Sequence, residues 1–145
     1  MDADLIFSVG GALAMAGWLV LLASPLAPRL ADAVAAYAIP LMISVGYAGL
    51  ILAYWASGEG GFDSLDNVAR LFQTRELLLA GWLHYLAFDL FVGAWIVRTA
   101  REASVPYWMV VPCLPATFLF GPVGYLAFAM IRLAHSRAVQ PRLAA

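Results

Sequence analysis

The sequence predicts an all-α integral membrane protein, a bundle of four transmembrane helices with a short interfacial helix between the second and the third. Two observations predict this class. Of 145 residues, 64% are hydrophobic and 12% are charged, whereas about a quarter of the residues are charged in an ordinary soluble domain. The charges are also segregated, because residues 5–28, 33–58 and 103–131 contain no acid and no arginine. Each interval exceeds the roughly 20 apolar residues that a spanning helix needs.

Proline and glycine mark the ends of the first two predicted spans. The first covers residues 5–24, since Pro25 and Pro28 follow it and proline just past an apolar run ends a helix. The second covers residues 33–56 and is followed by a glycine-rich break at residues 57–61. Pro40 lies within it, which a membrane helix tolerates where neighbouring groups satisfy the freed backbone atoms.

A short amphipathic segment follows that break. Leu65, Val68 and Leu71 recur at helical spacing among acidic and basic residues. This pattern is typical of a helix that lies along the membrane surface.

The third span is predicted at residues 77–97 and the fourth at residues 107–131, with a polar tail at residues 132–145. The fourth contains Pro112, Pro115 and Pro122, so we expect a kink or break near Gly121 and Pro122. The chain is therefore expected to form a single membrane domain.

An even number of spans places both termini and the second loop on one side of the membrane. That side then holds five of the eight arginines. Because cytoplasmic loops are enriched in Lys and Arg, the sequence predicts a multi-pass cell-membrane protein, in a bacterial inner membrane, with both termini in the cytoplasm.

Composition excludes several classes of function. A net charge of −1 with scattered arginines argues against nucleic-acid binding. His84, His135 and the single Cys113 do not have metal-ligand spacing, and the phosphate-binding, dinucleotide-binding and nucleophile-elbow motifs are missing from the sequence. We therefore expect no metal and no cofactor. We expect the protein to be surrounded by membrane lipid. The sequence leaves open whether it forms a homo-oligomer.

Asp89 is the most informative residue, because it lies near the middle of the third predicted span. An aspartate there costs about 2.5 to 3.5 kcal/mol even on the lenient insertion scale. The other predicted spans contain no basic side chain. Asp89 must then be neutralised by a proton or held by hydroxyl groups, and we predict that it is protonated at neutral pH. The candidate hydroxyl groups belong to Ser44, Tyr47, Thr117 and Tyr125.

Other residues of the third span extend this candidate site. His84 lies about 140° around the helix from Asp89 and about 7.5 Å along it, so the two can border one broad cavity but not one narrow stripe. Tyr85 lies on nearly the same face as Asp89, and Phe88 and Val92 complete the sector. We interpret Asp89 and His84 as catalytic candidates and the others as ligand contacts. For Asp89 and His84, a purely structural hydrogen bond between helices is the alternative, and the aromatic residues would then be bundle packing.

Three stretches carry a family resemblance. They are residues 61–65 (GFDSL), residues 78–95 (LLAGWLHYLAFDLFVGAW) and residues 117–124 (TFLFGPVG). They resemble the abscisic-acid-deficient, neoxanthin-forming membrane proteins of plants and their bacterial relatives, over about residues 5–133. The segment from His84 to Asp89 is the most specific part.

The resemblance implies a role in carotenoid or isoprenoid metabolism. In plants the family is associated with conversion of the epoxide violaxanthin to the allene neoxanthin, an isomerisation without net redox. A buried acid could protonate the epoxide oxygen and a neutral imidazole could act as the base, and a long apolar substrate would reach an intramembrane pocket from the bilayer.

Two other functions remain open at this point. The chain could be a non-catalytic scaffold that assists a pigment or enzyme complex. It could also be a carrier of protons or small solutes in which Asp89 acts as a relay.

Overall fold

The computed structural model describes residues 2–143, and the side chains of residues 2–138. All regular structure in this part of the chain is helical, which confirms the all-α class. The helices are α1 (Ala3–Leu22), α2 (Pro28–Ser57), α3 (Leu65–Leu71), α4 (Arg75–Glu102), α5 (Tyr107–Phe120) and α6 (Pro122–Leu143).

Two helix starts are set by short polar side chains. Asp2 accepts hydrogen bonds from the backbone N–H groups of Asp4 and Leu5 at the start of α1, at 3.0 and 3.2 Å. Ser64 accepts from the N–H of Asn67 at 3.2 Å and so begins α3. Such caps satisfy backbone donors that the first turn of a helix leaves unpaired.

Three helices, α1, α2 and α4, are long and apolar enough to cross a membrane. They correspond to the first three predicted spans, and they are consistent with a membrane protein. Within α2, the residues Asp32–Ala38 form a π-helix, in which the N–H of Ile39 donates to the carbonyl of Val34 five residues earlier. This wider turn ends just before Pro40, whose missing N–H interrupts the regular ladder.

Helix α4 is the centre of the bundle, and 13 of its 28 residues are buried. Helix α1 packs along it in the same direction through small residues: Gly10 lies against Leu83, and Gly17 against Leu90. A Cβ atom on Gly17 would come within 2.4 Å of the Leu90 side chain. Glycines at such crossings let two membrane helices approach closely.

Ion pairs tie the neighbouring helices to both ends of α4. Arg75 at its start pairs with Asp4 of α1, and Arg101 near its end pairs with Asp32 of α2, both at 2.5 Å. Helix α2 therefore runs antiparallel to α4, while α1 runs parallel to it.

The segment predicted as the fourth span is a helical hairpin. Helix α5 starts beside the end of α4 and descends to its middle, where the hydroxyl of Tyr85 donates to the carbonyl of Phe118 at 2.8 Å. The chain then reverses. A Cβ atom on Gly124 would lie 2.6 Å from the carbonyl oxygen of Cys113, although residues 11 apart on a straight helix are separated by about 16 Å.

Helix α6 then rises along α4 toward the end at which α5 began. The ring centroid of Trp95 lies 5.6 Å from that of Tyr125 and 5.9 Å from that of Phe128. The expected polar tail from residue 132 continues this same helix. The described backbone thus differs from the expectation of both termini at one end, because the break near Gly121 reverses the chain instead of kinking it.

Candidate functional site

The tip of the hairpin brings Gly121 onto the carboxyl group of Asp89. Gly121 has φ +47° and ψ −97°, a backbone conformation that residues other than glycine rarely adopt. A Cβ atom built on it would lie 2.8 Å from Oδ1 of Asp89 and 3.3 Å from Oδ2. Glycine is thus favoured here both by the backbone conformation and by the close approach of the carboxyl group.

One oxygen of this carboxyl group is buried without a partner. Oδ2 of Asp89 is inaccessible to solvent and makes no hydrogen bond within the described part of the chain. Such a group costs about 1 to 3 kcal/mol, so it is a feature that requires an explanation.

The hydroxyl group of Tyr85, one helical turn before Asp89, lies close to this carboxyl group. Its hydrogen is donated to the carbonyl of Phe118 at 2.8 Å. That carbonyl is available because α5 ends at Phe120, and the last carbonyls of a helix have no intrahelical partner. Tyr85 therefore fixes the hairpin on α4, and its hydroxyl group lies beside the carboxyl group of Asp89.

Thr117 stabilises the hairpin itself. Its side chain is fully buried, and Oγ1 donates to the carbonyl of Cys113 at 2.8 Å. A Cβ atom on Gly124 would lie 2.0 Å from that Oγ1, so the two arms of the hairpin meet at a threonine and a glycine. The described contacts of Thr117 do not include a hydrogen bond to Asp89.

His84 lies on a different sector of α4. Its ring stacks on Phe88, with centroids 4.5 Å apart and planes at 19°, and is tilted against Tyr47 at 5.6 Å. Asp89 faces the hairpin instead. The helical geometry thus keeps the two residues apart, and the structure does not bring them to one site.

The other predicted contact residues are distributed over the bundle. Ser44 and Phe88 line a groove of about 370 Å³ between α2 and α4. Tyr47 and His84 line a second groove, of about 250 Å³, that reaches the loop before α3. Val92 packs partly buried against the core, and Tyr125 is exposed beside Trp95. Within the part of the chain that the structure describes, no group of three His, Cys, Asp or Glu could hold a metal ion.

The comparison with protein families gives a match. The family model described as ABA DEFICIENT 4-like matches residues 5–128. The chain belongs to the ABA DEFICIENT 4-like family. The resemblance seen in the sequence is thereby confirmed, and the family is one of membrane-associated proteins tied to the carotenoid pathway that forms neoxanthin. No curated protein and no solved structure matches the chain.

The ABA DEFICIENT 4-like match includes the whole site, since it spans Asp89 and the hairpin as far as Phe128. From the sequence, Gly121 was predicted only as a break in the helix. Its contact with Asp89 was not predicted. The sequence signal at this position is a glycine followed by a proline. This pattern indicates locally that the chain changes direction. It does not say which helix the tip of the hairpin will touch.

Proposed function

We propose that this chain is a multi-pass membrane enzyme of carotenoid metabolism that isomerises an epoxide-bearing carotenoid, with Asp89 as its proton donor. Family membership supports the class of substrate. The observation that carries the role of Asp89 is its buried, unpaired carboxyl oxygen at the tip of the hairpin. Ionisable groups within a membrane protein are functional candidates by default, because their insertion is costly.

The surroundings of Asp89 favour the protonated acid. Its Oδ2 is buried and makes no hydrogen bond within the described part of the chain. Burial without a partner disfavours the charged form of a carboxyl group. The two ion pairs of the described chain lie at the ends of α4, away from its middle. Asp89 is thus suited to act as an acid.

The isomerisation requires two proton transfers and no redox partner. The carbon–oxygen bond of the epoxide breaks as its oxygen receives a proton, and a C–H bond of the polyene loses its proton as the allene forms. One oxygen of the carboxyl group of Asp89 can donate the first proton while the other accepts the second. This returns the acid to its starting state, and His84, which faces another sector, is not needed.

The membrane arrangement follows from the hairpin. We infer that α1, α2 and α4 each cross the bilayer and that α5 and α6 enter from one side, meet at its middle and return. Irregular backbone such as that of Gly121 is tolerated at membrane depth where it is buried in protein. In place of four crossings there are three, with an apolar hairpin against α4.

This arrangement gives the chain a strong charge asymmetry. The end of the bundle that holds the α5–α6 hairpin carries five of the seven arginines whose side chains the structure describes, Arg29, Arg98, Arg101, Arg132 and Arg137. The opposite end carries Arg70 and Arg75 with six acids, Asp2, Asp4, Glu59, Asp63, Asp66 and Glu76. Because arginine is enriched on the cytoplasmic side, the C-terminus lies in the cytoplasm and the N-terminus on the other side of the cell membrane.

The test is conversion of violaxanthin by the purified chain in liposomes, followed by chromatography of the pigments. Wild-type protein should form an allenic isomer of unchanged mass. Asp89→Asn keeps the shape of the side chain but removes the transferable proton, so turnover should fall about 100-fold or more. Asp63→Asn, at an exposed loop position, is the matched control and should retain full turnover.

Two results would contradict this function. Equal turnover by wild type and Asp89→Asn would remove Asp89 from the chemistry. No turnover and no bound pigment, with a second protein copurifying in stable proportion, would instead favour a non-catalytic scaffold.

A further inference from the structure

A groove lies on the lipid-facing side of the bundle, between α2 and α4. Its volume is about 370 Å³. Its lining includes Tyr37, Leu41 and Phe91, which are 54%, 63% and 43% exposed. The groove is therefore open to the hydrocarbon region of a membrane, and it does not include Asp89 in its lining.

Local sequence explains why the two helices leave this space. The wall formed by α2 contains part of the π-helical stretch Asp32–Ala38 and then Pro40. The side chains at the back of the groove, Ala36 and Ala87, are small and buried. A π-turn widens the helix and is frequent at functional sites, and alanine fills little of the gap.

The positively charged side chain of Arg98 lies at one end of the groove. The guanidinium group of Arg98 donates to the hydroxyl oxygen of Tyr37 at 3.0 Å and lies 5.8 Å from the centre of its ring. One turn further on, Arg101 is paired with Asp32. Arg98, by contrast, has no carboxylate partner within the described part of the chain. Tyr37 thus positions the guanidinium group of Arg98, which has no ion-pair partner in the described chain, beside the apolar groove.

The dimensions fit one hydrocarbon chain. Along α2 the groove extends from Ala36 to Ser44, which is about 12 Å at 1.5 Å per residue. One leaflet of the hydrocarbon core is about 15 Å thick, half of the usual 30 Å. The groove is thus shorter than one leaflet is thick. A hydrocarbon chain lying in it would stay within one leaflet, with its polar end at the level of Arg98.

We propose that this groove binds a phospholipid with an anionic headgroup, its phosphate on Arg98 and one acyl chain between α2 and α4. Arginine recognises phosphate through paired, charge-assisted hydrogen bonds. The end of the bundle that carries Arg98 also carries most of the arginines, and the cytoplasmic leaflet is the one rich in anionic lipid. The site is independent of Asp89, so it stands whether or not the chain acts on carotenoids.

The test is native mass spectrometry of the full chain with phosphatidylglycerol or phosphatidylethanolamine of the same acyl chains. Wild-type protein should retain phosphatidylglycerol at least 5-fold more than phosphatidylethanolamine. Arg98→Gln should abolish this preference, while Arg132→Gln, which removes a charge from the same end but outside the groove, should keep it. Ser44→Phe fills the channel and should reduce retention of both lipids.

Several outcomes would overturn the site. They are equal retention of the two lipids by wild type, an unchanged preference in Arg98→Gln, or unchanged retention in Ser44→Phe. A neutral pigment or a second copy of the chain that is displaced by Ser44→Phe, with no phospholipid bound, would assign the groove to that occupant instead. Thermal unfolding of each variant in the same detergent shows whether a loss of lipid reflects a loss of fold.

Discussion

Substitution of Gly121 by alanine tests whether the hairpin depends on its backbone at the tip. With φ +47° and ψ −97°, an L-residue there should cost about 1 to 3 kcal/mol. The new Cβ atom would also meet Oδ1 of Asp89 at 2.8 Å, but that oxygen ends a side chain that can rotate away. We therefore expect the backbone conformation to supply most of the loss.

The assay is reversible unfolding of the full chain in detergent, with Gly11→Ala as the control. Gly11 lies in α1 with nothing within 4 Å of its missing Cβ atom, so alanine there should leave stability unchanged or raise it by about 0.5 to 1 kcal/mol. Gly121→Ala should destabilise the protein by about 1 to 3 kcal/mol. A loss of one or two kcal/mol changes the folded-to-unfolded ratio about 5-fold to 30-fold.

A double-mutant cycle separates the two causes. In an Asp89→Ala background the close contact no longer exists, while the backbone conformation stays the same. Most of the loss caused by Gly121→Ala should therefore persist there. Full recovery would show that the contact dominates, and a Gly121→Ala protein as stable as Gly11→Ala would refute the geometry of the tip.

Two further predictions concern regions outside the hairpin tip. In a Cys113→Ala background, Ser64→Cys should react with a membrane-impermeant maleimide in intact cells and Ser136→Cys only after lysis; the same result at both positions, either in intact cells or only after lysis, would support four crossings. Hydrogen bonds from Asn67 and from its own backbone N–H lower the pKa of Asp63. Because the folded pKa lies below the unfolded value of about 3.9, this contribution is present above pH 4 and is lost as the pH falls through the folded pKa. The protection of the backbone amides at the start of α3 from hydrogen exchange, measured relative to the intrinsic exchange rate at each pH, should fall in that range, and Asn67→Ala should remove the dependence; constant protection in wild type would contradict it.

Hydropathy predicted the long helices well because their burial in a membrane is determined by composition over about 20 residues. The spans at residues 5–24, 33–56 and 77–97 correspond closely to α1, α2 and α4. The π-helical turn before Pro40 was not predicted. A proline indicates that the hydrogen-bond ladder is interrupted, but the neighbouring helix determines how the chain accommodates it.

The reversal at Gly121 could not be predicted for a related reason. The sequence indicates a break there, and both a kinked span and a hairpin satisfy that signal. The choice depends on contacts between residues far apart in sequence, such as Gly124 against Cys113 and Trp95 against Tyr125. A single sequence does not contain that information in any local pattern.

The candidate site was predictable in part. Asp89 is evident from its position in an apolar helix, and the 140° that separates it from His84 follows from helical geometry alone. The position of Tyr85 beside Asp89 follows in the same way, because the two residues lie one turn apart on one helix. The four hydroxyl groups named on other spans make no hydrogen bond to Asp89 within the described part of the chain, and the hydrogen bond from Tyr85 to Phe118 was not predicted, since it depends on which way the hairpin faces α4.

The most direct measurement of the central claim is the infrared spectrum of the carboxyl groups at neutral pH, as a difference between wild type and Asp89→Asn. If Asp89 is a protonated acid at the hairpin tip, wild type should show a carbonyl band of a protonated carboxyl group that Asp89→Asn lacks. Asp63→Asn, which removes an exposed carboxylate, should leave that band in place. A difference confined to the bands of ionised carboxylate would show that Asp89 is charged and would contradict its role as proton donor.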